Sequence, residues 1–566
     1  MASSYLAPGV YGEEVPSAER PIAGVGTNTV GFIGIVPSTI TYPVPNPNFD
    51  PVAARFALRQ GAVPEKTIAD AIEVKRTALD QVTAALEAKT RERDASQGAT
   101  ATLPGEIAAL EANPARSEDD ERQLKEKKQA LATARKAHAG LDAQVQELRD
   151  QAQGLKKAVE GLEAVAGQPG GAAPGAAAPA RTQPAPDEVS GLLPYILRQF
   201  TVTAEPCVTK LCTNFTEYTA RFGPFSADNI DGTPMSPEHR ALTHAVNGFF
   251  KNGGTRCFVA RLEGPEQLQR ALTMFESIEE LSIIAVPGLA PELATWDELL
   301  AFCDTRKTCF AVLDSQQAVE DAQGDLDVRQ LGTGGEKLPP PNKNAAFYFP
   351  HIEVMDPARA LFDSDPARNV EPKHRGRVMV PPSGHICGVY ARTDEERGVH
   401  KAPANVQVRG ALNVRYYVSK PKQALLNPQG VNCIRNINGA ITVYGGRTSG
   451  GDANNEFKYV SVRRTFLFLL ASIDRGTQWI VFEPNDHALW GKIILNVTAF
   501  LTNVWRNGAL FGRTAEEAFY VKCDAELNPP EVRDIGQVVT EIGVAIVRPA
   551  EFVIFRLTQS SGQPQG

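Results

Sequence analysis

From residue 255 to residue 315, short β-branched and aromatic runs alternate with longer stretches of helical periodicity, and this alternation constrains the fold more than any other feature. TRCFVARL, LSIIAVPG and CFAVLDS read as strands, while GPEQLQRALTMFESI and ATWDELLAFCDT between them read as helices. Strands joined through a helix-length crossover pair in parallel, because a tight turn returns the chain only antiparallel. The expectation is a mixed α/β (α+β) chain built on a layer of parallel strands. Upstream, VGTNTVGFIGIV (Val25–Val36) reads as a further buried strand ended by Pro37. LLPYILRQF reads as helical, TVTAEPCVTKL as extended and NFTEYTARFG as helical. SPEHRALTHAVNGFFKNGG reads as a helix that stops at Gly253 and Gly254. AAFYFPHIEVM reads as one strand, and the polar DAQGDLDVRQLGTGGEKLPPPNKN before it as a surface loop.

After a Pro-rich turn region, Tyr42 to Pro51, the composition changes abruptly. From about Pro64 to Ala95 the chain is rich in Ala, Glu, Lys and Arg, with Ile72, Leu79 and Leu86 one heptad apart. A second segment starts at Ser117, an N-cap residue followed by Glu118, Asp119 and Asp120 in the electropositive first turn. Two rows at spacing seven run along it and form a seam of Leu124, Leu131, Leu141, Val145, Leu148, Leu155, Val159 and Leu162. His138 sits at a seam position as a register-tuning or weakly packed residue rather than a ligand. A seam demands a partner helix. Gly98, Pro104 and Pro114 separate the segments, so an antiparallel helical hairpin is expected, a coiled coil whose longer helix reaches about 70 Å. The Pro/Ala/Gly tract from Gln168 to Pro186 has nothing to bury and reads as a tether.

The resulting division is an extended arm at 1–20, α/β segments at 21–37 and 188–377, the inserted hairpin at 38–167 and a linker at 168–187. A second domain follows at 378–541, then an arm strand and tail at 542–566. A length of 566 residues suits about three or four domains. A net charge of −8 argues against nucleic acid as a partner, since phosphate binding needs a basic face. The eight cysteines form no CxxC pair, and Cys207 and Cys212 lack a second ligand pair, so buried reduced thiols in a cytoplasmic protein are expected and no metal or cofactor is. No secretory signal or membrane-spanning run is read, and the mixed charge on the hairpin's outer faces argues against membrane contact.

Candidate catalytic groups do not converge. YGGRTSGGDANN around Arg447 lacks the order of a phosphate loop and reads as a turn. Ser383 and His385 in PPSGHICG lie outside a nucleophile elbow. Asp474, Glu483, Asp486 and His487 read as strand, turn and helix start, with Asn485 or Asp486 as the cap. Val460–Ile473 reads as a helix with Val462, Phe466, Leu469, Leu470 and Ile473 on its apolar face. Its Arg463 and Arg464, with Arg475 just beyond, are then free for contacts with other chains or for a solvated face. Leu489–Val504 reads as a second helix, buried through Leu489, Ile493, Val497, Phe500, Leu501 and Val504, with Lys492 on it and Arg506 after it. DIGQVVTEIGVAIV and AEFVIFRLTQ read as strands able to join their own sheet or a neighbour's.

Several long strings in this half carry a resemblance: VPPSGHICGVYARTDEERGVHKAPAN, LNPQGVNCIR, YVSVRR, GTQWIVFEPND, Glu517–Asp524 and Ile542–Leu557, together with the opening YLAPGVYGEEVPSAERPIAGVGTNTVGFIG. The chain resembles the contractile tail sheath proteins of phages, R-type tailocins and extracellular contractile injection systems, over most of its length except roughly Pro37–Asp187. The resemblance implies a multidomain tail-sheath-like fold whose subunits stack helically, six to a layer, around an inner tube. It implies baseplate and terminal cap proteins as further partners, and contraction without a cofactor. It also implies assembly in the producing cell's cytoplasm into a phage-tail-like particle, with release on lysis. Terminal arms would pair with neighbouring subunits, with Tyr5, Val10, Tyr11, Val15, Phe552, Ile554, Phe555 and Leu557 as candidates. Lys492 and Arg506 are the candidate contacts to an acidic tube. The alternatives are a non-contractile outer shell, or an enzyme on a tail-like scaffold using Ser383, His385, Asp486 or His487. The hairpin departs from the family, as decoration, a neighbour contact, a docking site or a brake on contraction.

Overall fold

A computed structural model describes residues 21–51, short runs between 76 and 156, residues 193–320, 326–328, 331 and 338–555. It has two compact units, one of Met1–Pro47 with Pro194–Gly566 and one of Asn48–Leu193.

The larger unit is organised around β1 (Val30–Ile35), whose VGFIGI sequence is buried on both faces, as a central parallel strand requires. It pairs in parallel with β5 (Cys257–Leu262) and β6 (Ile283–Ala285), Val30 lying opposite both Cys257 and Ile283. The parallel run continues through β7 (Phe310–Asp314), β8 (Ala345–Phe349) and β13 (Val431–Ile437). Antiparallel β4 (Lys210–Cys212) closes one edge, and β14 (Ala440–Val443) with β11 (Val406–Gln407) closes the other. The expected parallel layer is therefore present as part of a nine-stranded sheet.

Alternate residues feed opposite faces of this sheet. Phe310, Val312 and Tyr348 join one hydrophobic cluster, with Tyr218 of α1 (Phe215–Phe222), Leu242 of α2 (Pro237–Lys251) and Tyr390 of α6 (Ser383–Arg397). Ala311, Leu313 and Phe347 join another, with Leu272 of α3 (Leu268–Glu276) and Trp296 of α4 (Leu293–Arg306). Helices α2 and α6 meet through glycine: a Cβ on Gly384 would sit 2.2 Å from the Ala245 Cα, and one on Gly248 2.3 Å from the His385 ring. No larger residue allows that approach.

Two element readings are corrected. LLPYILRQF is not helical: β3 (Tyr195–Thr201) pairs antiparallel with β2 (Thr39–Pro45) through seven residues, from Thr39 opposite Thr201 to Pro45 opposite Tyr195. A distant partner strand overrides the local helix pattern. AAFYFPHIEVM is two strands, β8 and β9 (Ile352–Met355), separated at Pro350. β9 belongs to a separate sheet between β10 (Arg377–Val380) and β12 (Ala411–Val414). The sequence division at 377/378 falls inside β10, and the nine-stranded sheet draws strands from both sides of it. Insertion of the second unit likewise begins after Pro47 rather than Pro37.

Within the second unit, residues 79–91, 122–124 and 126–131 are helical, as are shorter runs up to residue 156. Leu124 and Val145 are buried there, while Leu131, Leu141 and Leu148 are half-buried. The seam positions Leu155, Val159 and Leu162, and His138, lie outside the described residues.

Candidate assembly surface

The C-terminal module rests on two helices, α8 (Val460–Gly476) and α9 (His487–Arg506). All six apolar residues assigned to the inner face of α9 are buried: Leu489, Ile493, Val497, Phe500, Leu501 and Val504. They form a cluster with Ile22, Leu469, Leu510 and Phe519. Asp486 caps α9 by accepting from the Leu489 N–H at 2.8 Å. Asn485 accepts from the Trp490 indole at 2.9 Å and donates to the Gln537 carbonyl at 2.8 Å. These two residues fix the helix start, as the capping reading expects.

The outer side of α9 is different. Lys492 and Arg506 are both exposed, and their spacing of fourteen residues returns them to nearly the same face, about 21 Å apart along the axis. Leu495, 67% exposed, lies between them. In the loop joining α8 to α9, Phe482 has φ +70° and a fully exposed side chain. A bulky residue in the left-handed region is held there against its intrinsic preference.

The arginines of α8 have separate fates. Arg464 is not available at the surface: it is 4% exposed and paired with Asp394 through two hydrogen bonds of 2.9 and 2.6 Å. It also donates to the Thr27 carbonyl at 2.8 Å, and the Thr27 hydroxyl donates to Asp394 at 2.6 Å, so the ion pair ties the N-terminal segment to α6 and α8. Arg463 is also buried, its Nε donating to Asn344 at 2.7 Å. Arg475 is exposed.

Beyond α9 the chain forms a two-stranded antiparallel sheet, β15 (Phe519–Lys522) with β16 (Glu541–Val544), Phe519 lying opposite Val544. The first residues of the 542–566 arm thus pair inside their own chain. The following segment runs beside residues 509–511, with Phe511 N–H donating to the Ala545 carbonyl and Val547 N–H to the Ala509 carbonyl. Such a small sheet has outward strand edges.

The segment is then clasped at Glu551. Arg447 donates from Nε and Nη2 to the two carboxylate oxygens at 2.7 and 2.8 Å. The Asn427 amide and the Tyr459 hydroxyl add bonds of 2.8 and 3.0 Å. Arg447 is 3% exposed and also donates to Asp452 at 2.9 Å. Although burial opposes ionisation of Glu551, these donors hold its carboxyl below the usual range. Immediately after the clasp, Phe552, Val553, Ile554 and Phe555 are 70%, 68%, 80% and 85% exposed. Tyr5, Val10, Tyr11, Val15 and Leu557 lie outside the described residues.

The candidates for catalysis are not brought together. Ser383 is buried, its hydroxyl donating to Asp314 at 2.5 Å and its N–H to the same carboxyl at 2.8 Å. Burial pushes Asp314 up to about 7. His385 is buried against Gly248, and burial pushes it down to about 3. Asp486 is the helix cap, and His487 packs edge-on against Trp490. All eight cysteines are buried and free. Among the described residues no cluster of three His, Cys, Asp or Glu side chains is arranged to hold a metal, and no helix is long and apolar enough to cross a membrane.

Sequence reading missed the role of Glu551. Arg447 sits in a glycine-rich string that signals only a turn, and its partner lies 104 residues away. The strand read ahead of Asp486 is not formed: Gln478–Ile480 is a 3-10 turn, and Phe482 stands exposed in the loop after it.

Residues 263–449 match the phage tail sheath protein central domain, and residues 452–560 match the phage tail sheath C-terminal domain, together more than half of the chain. The tail sheath protein of Vibrio phage KVP40 is 26% identical over 186 residues, covering 32% of this chain and 27% of the relative. That of Enterobacteria phage T4 is 24% identical over 178 residues, covering 31% and 26%. The chain thus spans about a quarter of the length of these curated relatives. Among solved structures, the contracted PVC sheath complex of an extracellular contractile injection system superposes with a TM-score of 0.52 at 25% identity, covering 63% of this chain and 88% of that one. The layered sheet, the helices behind it and the C-terminal module are those of the phage tail sheath family, and this chain belongs to it.

Proposed function

We propose that this chain is the structural subunit of a contractile sheath, polymerising helically in six-subunit layers around an inner tube and contracting to drive that tube through a target envelope. The observation that carries the reading is the run Phe552–Phe555, four exposed apolar residues directly after a buried clasp, within the stretch that matches the sheath C-terminal domain. An isolated soluble chain gains nothing from such a run, whereas a neighbouring subunit covers it. Strand addition suits it, because main-chain pairing stays intact while subunits move as rigid bodies.

Glu551 then acts as the fixed point from which the C-terminal arm leaves, and the N-terminal arm around Tyr5, Val10, Tyr11 and Val15 pairs in the same way. Lys492 and Arg506, on the outer side of α9, face the tube. The helical residues of the inserted unit form a coiled-coil hairpin that decorates the sheath, and Leu124 and Val145, three heptads apart and both buried, support a seam. Baseplate and terminal cap proteins complete the particle, which is assembled in the cytoplasm of the producing cell and needs no cofactor. The catalytic alternative loses support from the burial of Ser383 and His385.

Electron microscopy of the purified chain with its tube protein tests the reading. Long striated tubes that shorten in acid or denaturant are expected, and Glu551→Gln is expected to leave the chain folded but give far fewer of them. Discrete monomers would refute assembly, and tubes of invariant length would make the chain a non-contractile shell.

A further inference from the structure

On the outermost strand of the nine-stranded sheet, one thiol faces another. β4 pairs antiparallel with β5 through three residues, and the last pair sets Cys212 opposite Cys257. Directly opposed residues of such a ladder share a face, with Cα atoms about 4.5 or 5.5 Å apart according to position. A disulfide spans about 4.4–6.8 Å between Cα atoms, so either position admits the bond with little movement. Both side chains are fully buried, in one cluster with Tyr218 and Phe249. The Cys212 Sγ has a weak contact of 4.0 Å to the Lys210 carbonyl, not enough to fix the thiol.

Access to this pair is set by the edge. β4 is three residues long and ends the sheet, and Leu211 beside Cys212 is 37% exposed. A short edge strand opens at low cost, whereas a central strand opens only with the sheet. While the edge is closed, burial pushes Cys212 up to about 11 and Cys257 well above the usual thiol range, so neither is a nucleophile. Arg221 opposes that shift at Cys212 and donates to the Leu211 carbonyl, so Cys212 is the thiol that ionises first when water enters. Cys303 and Cys309 also interact, but beneath α4 beside β7 at the middle of the sheet, with no edge to open.

We propose that Cys212 and Cys257 are a redox-gated staple: paired thiols in a reducing compartment that close to a cross-strand disulfide when a small disulfide oxidant reaches the lifted edge. The Cys212 thiolate attacks one sulfur of the oxidant and expels a thiolate, and the Cys257 thiolate then displaces the second half. One S–S bond forms and one breaks; the two cysteines give up two electrons and two protons, and the oxidant leaves as two thiols. The staple forms in an oxidising exterior and not in a reducing cytoplasm. It goes beyond the sheath reading and does not require it; on that reading, it locks the body of the subunit after the particle has left its cell.

The full, unassembled chain in oxidised glutathione tests the staple, with remaining thiols alkylated after denaturation and peptides mapped by mass spectrometry. The expected product is one disulfide, Cys212 to Cys257, with the other cysteines alkylated. The thermal midpoint is expected to rise by about 3–6 °C and to fall back in dithiothreitol. Cys257→Ser is expected to stop at a glutathione adduct on Cys212, and Cys212→Ser to slow modification of Cys257 at least about tenfold. Unmodified thiols with an unchanged midpoint, a disulfide between any other pair, or adducts spread over all eight cysteines would each overturn the staple. Where a serine variant is less stable, the map of the unaltered chain still decides. None of these results bears on tube formation, which microscopy tests separately.

Discussion

The nine-stranded layer and the C-terminal module handle their side chains in opposite ways. In and around the layer, ionisable groups are buried and matched: Arg240 reaches Asp228 at 2.8 Å, His244 reaches Asp356 at 3.0 Å and Arg464 reaches Asp394 at 2.6 Å. In the module, large apolar groups stay outside: Phe482 is fully exposed, Phe511 73%, Ile535 69% and Leu495 67%. The buried charges around the layer find their partners within one chain. On the proposed reading, the module's exposed groups are covered by other chains, which is where a polymer's specificity has to reside.

The sharpest way to break this contrast is to unmatch a buried charge. Arg464→Met leaves Asp394 buried without its partner and is expected to cost about 3–5 kcal/mol in urea unfolding of the unassembled chain. A loss below about 1 kcal/mol would mean that the pair is solvated and does not hold α8 to α6.

Acid sharpens the contrast next. Burial holds His239 and His351 at about 4 and His385 at about 3, so these rings stay neutral in the folded chain while the unfolded chain protonates them near 6.5. Their stabilisation is present above that value and is lost as pH falls towards 4. Asp314 opposes them: raised to about 7 by burial, it keeps its proton when folded, and its contribution is lost as pH rises from about 4 through 7. Between pH 6 and 5 the unfolded chain therefore binds about two more protons through these four groups, and stability is expected to fall by roughly 2–3 kcal/mol per pH unit. Asp314→Asn removes the opposing group and should steepen the fall to roughly 3–4 kcal/mol per unit. Denaturant titrations across this range measure both slopes, and a flat profile would show that the histidines are hydrated in the folded chain.

The smallest effect is expected in the module. Phe482→Gly removes an exposed ring and relieves a positive φ, so the unassembled chain should be unchanged or gain up to about 1 kcal/mol. Tube yield should nevertheless drop if the ring contacts another chain. A loss of more than about 2 kcal/mol in the unassembled chain would place Phe482 with the core instead.

How legible each region was in the sequence follows the same contrast. Strands β5, β6 and β7 and their crossover helices were readable because each is a local run whose period reports its burial. The inner face of α9 was readable for the same reason. β3 was misread because its structure depends on β2, far away in sequence, and not on its own period. Arg464 was misread because helical spacing says which residues share a face but not that Asp394 waits behind that face. The Arg447–Glu551 clasp was invisible for a related reason: each half is an ordinary loop residue until the fold brings them together.

One further consequence belongs to the β2–β3 ladder. Its last pair places Pro45 opposite Tyr195, and the Asn46 N–H donates to the Pro194 carbonyl at 3.0 Å. The chain thus departs and returns through neighbouring residues, like wires leaving a single socket. The entropy of closing a loop grows only slowly with its length, so whatever is plugged in there can be lengthened, shortened or exchanged without disturbing the register of the strands that hold it. The same strand pair can hold connections of different length and sequence, and that makes the socket a natural port for variation and for engineering.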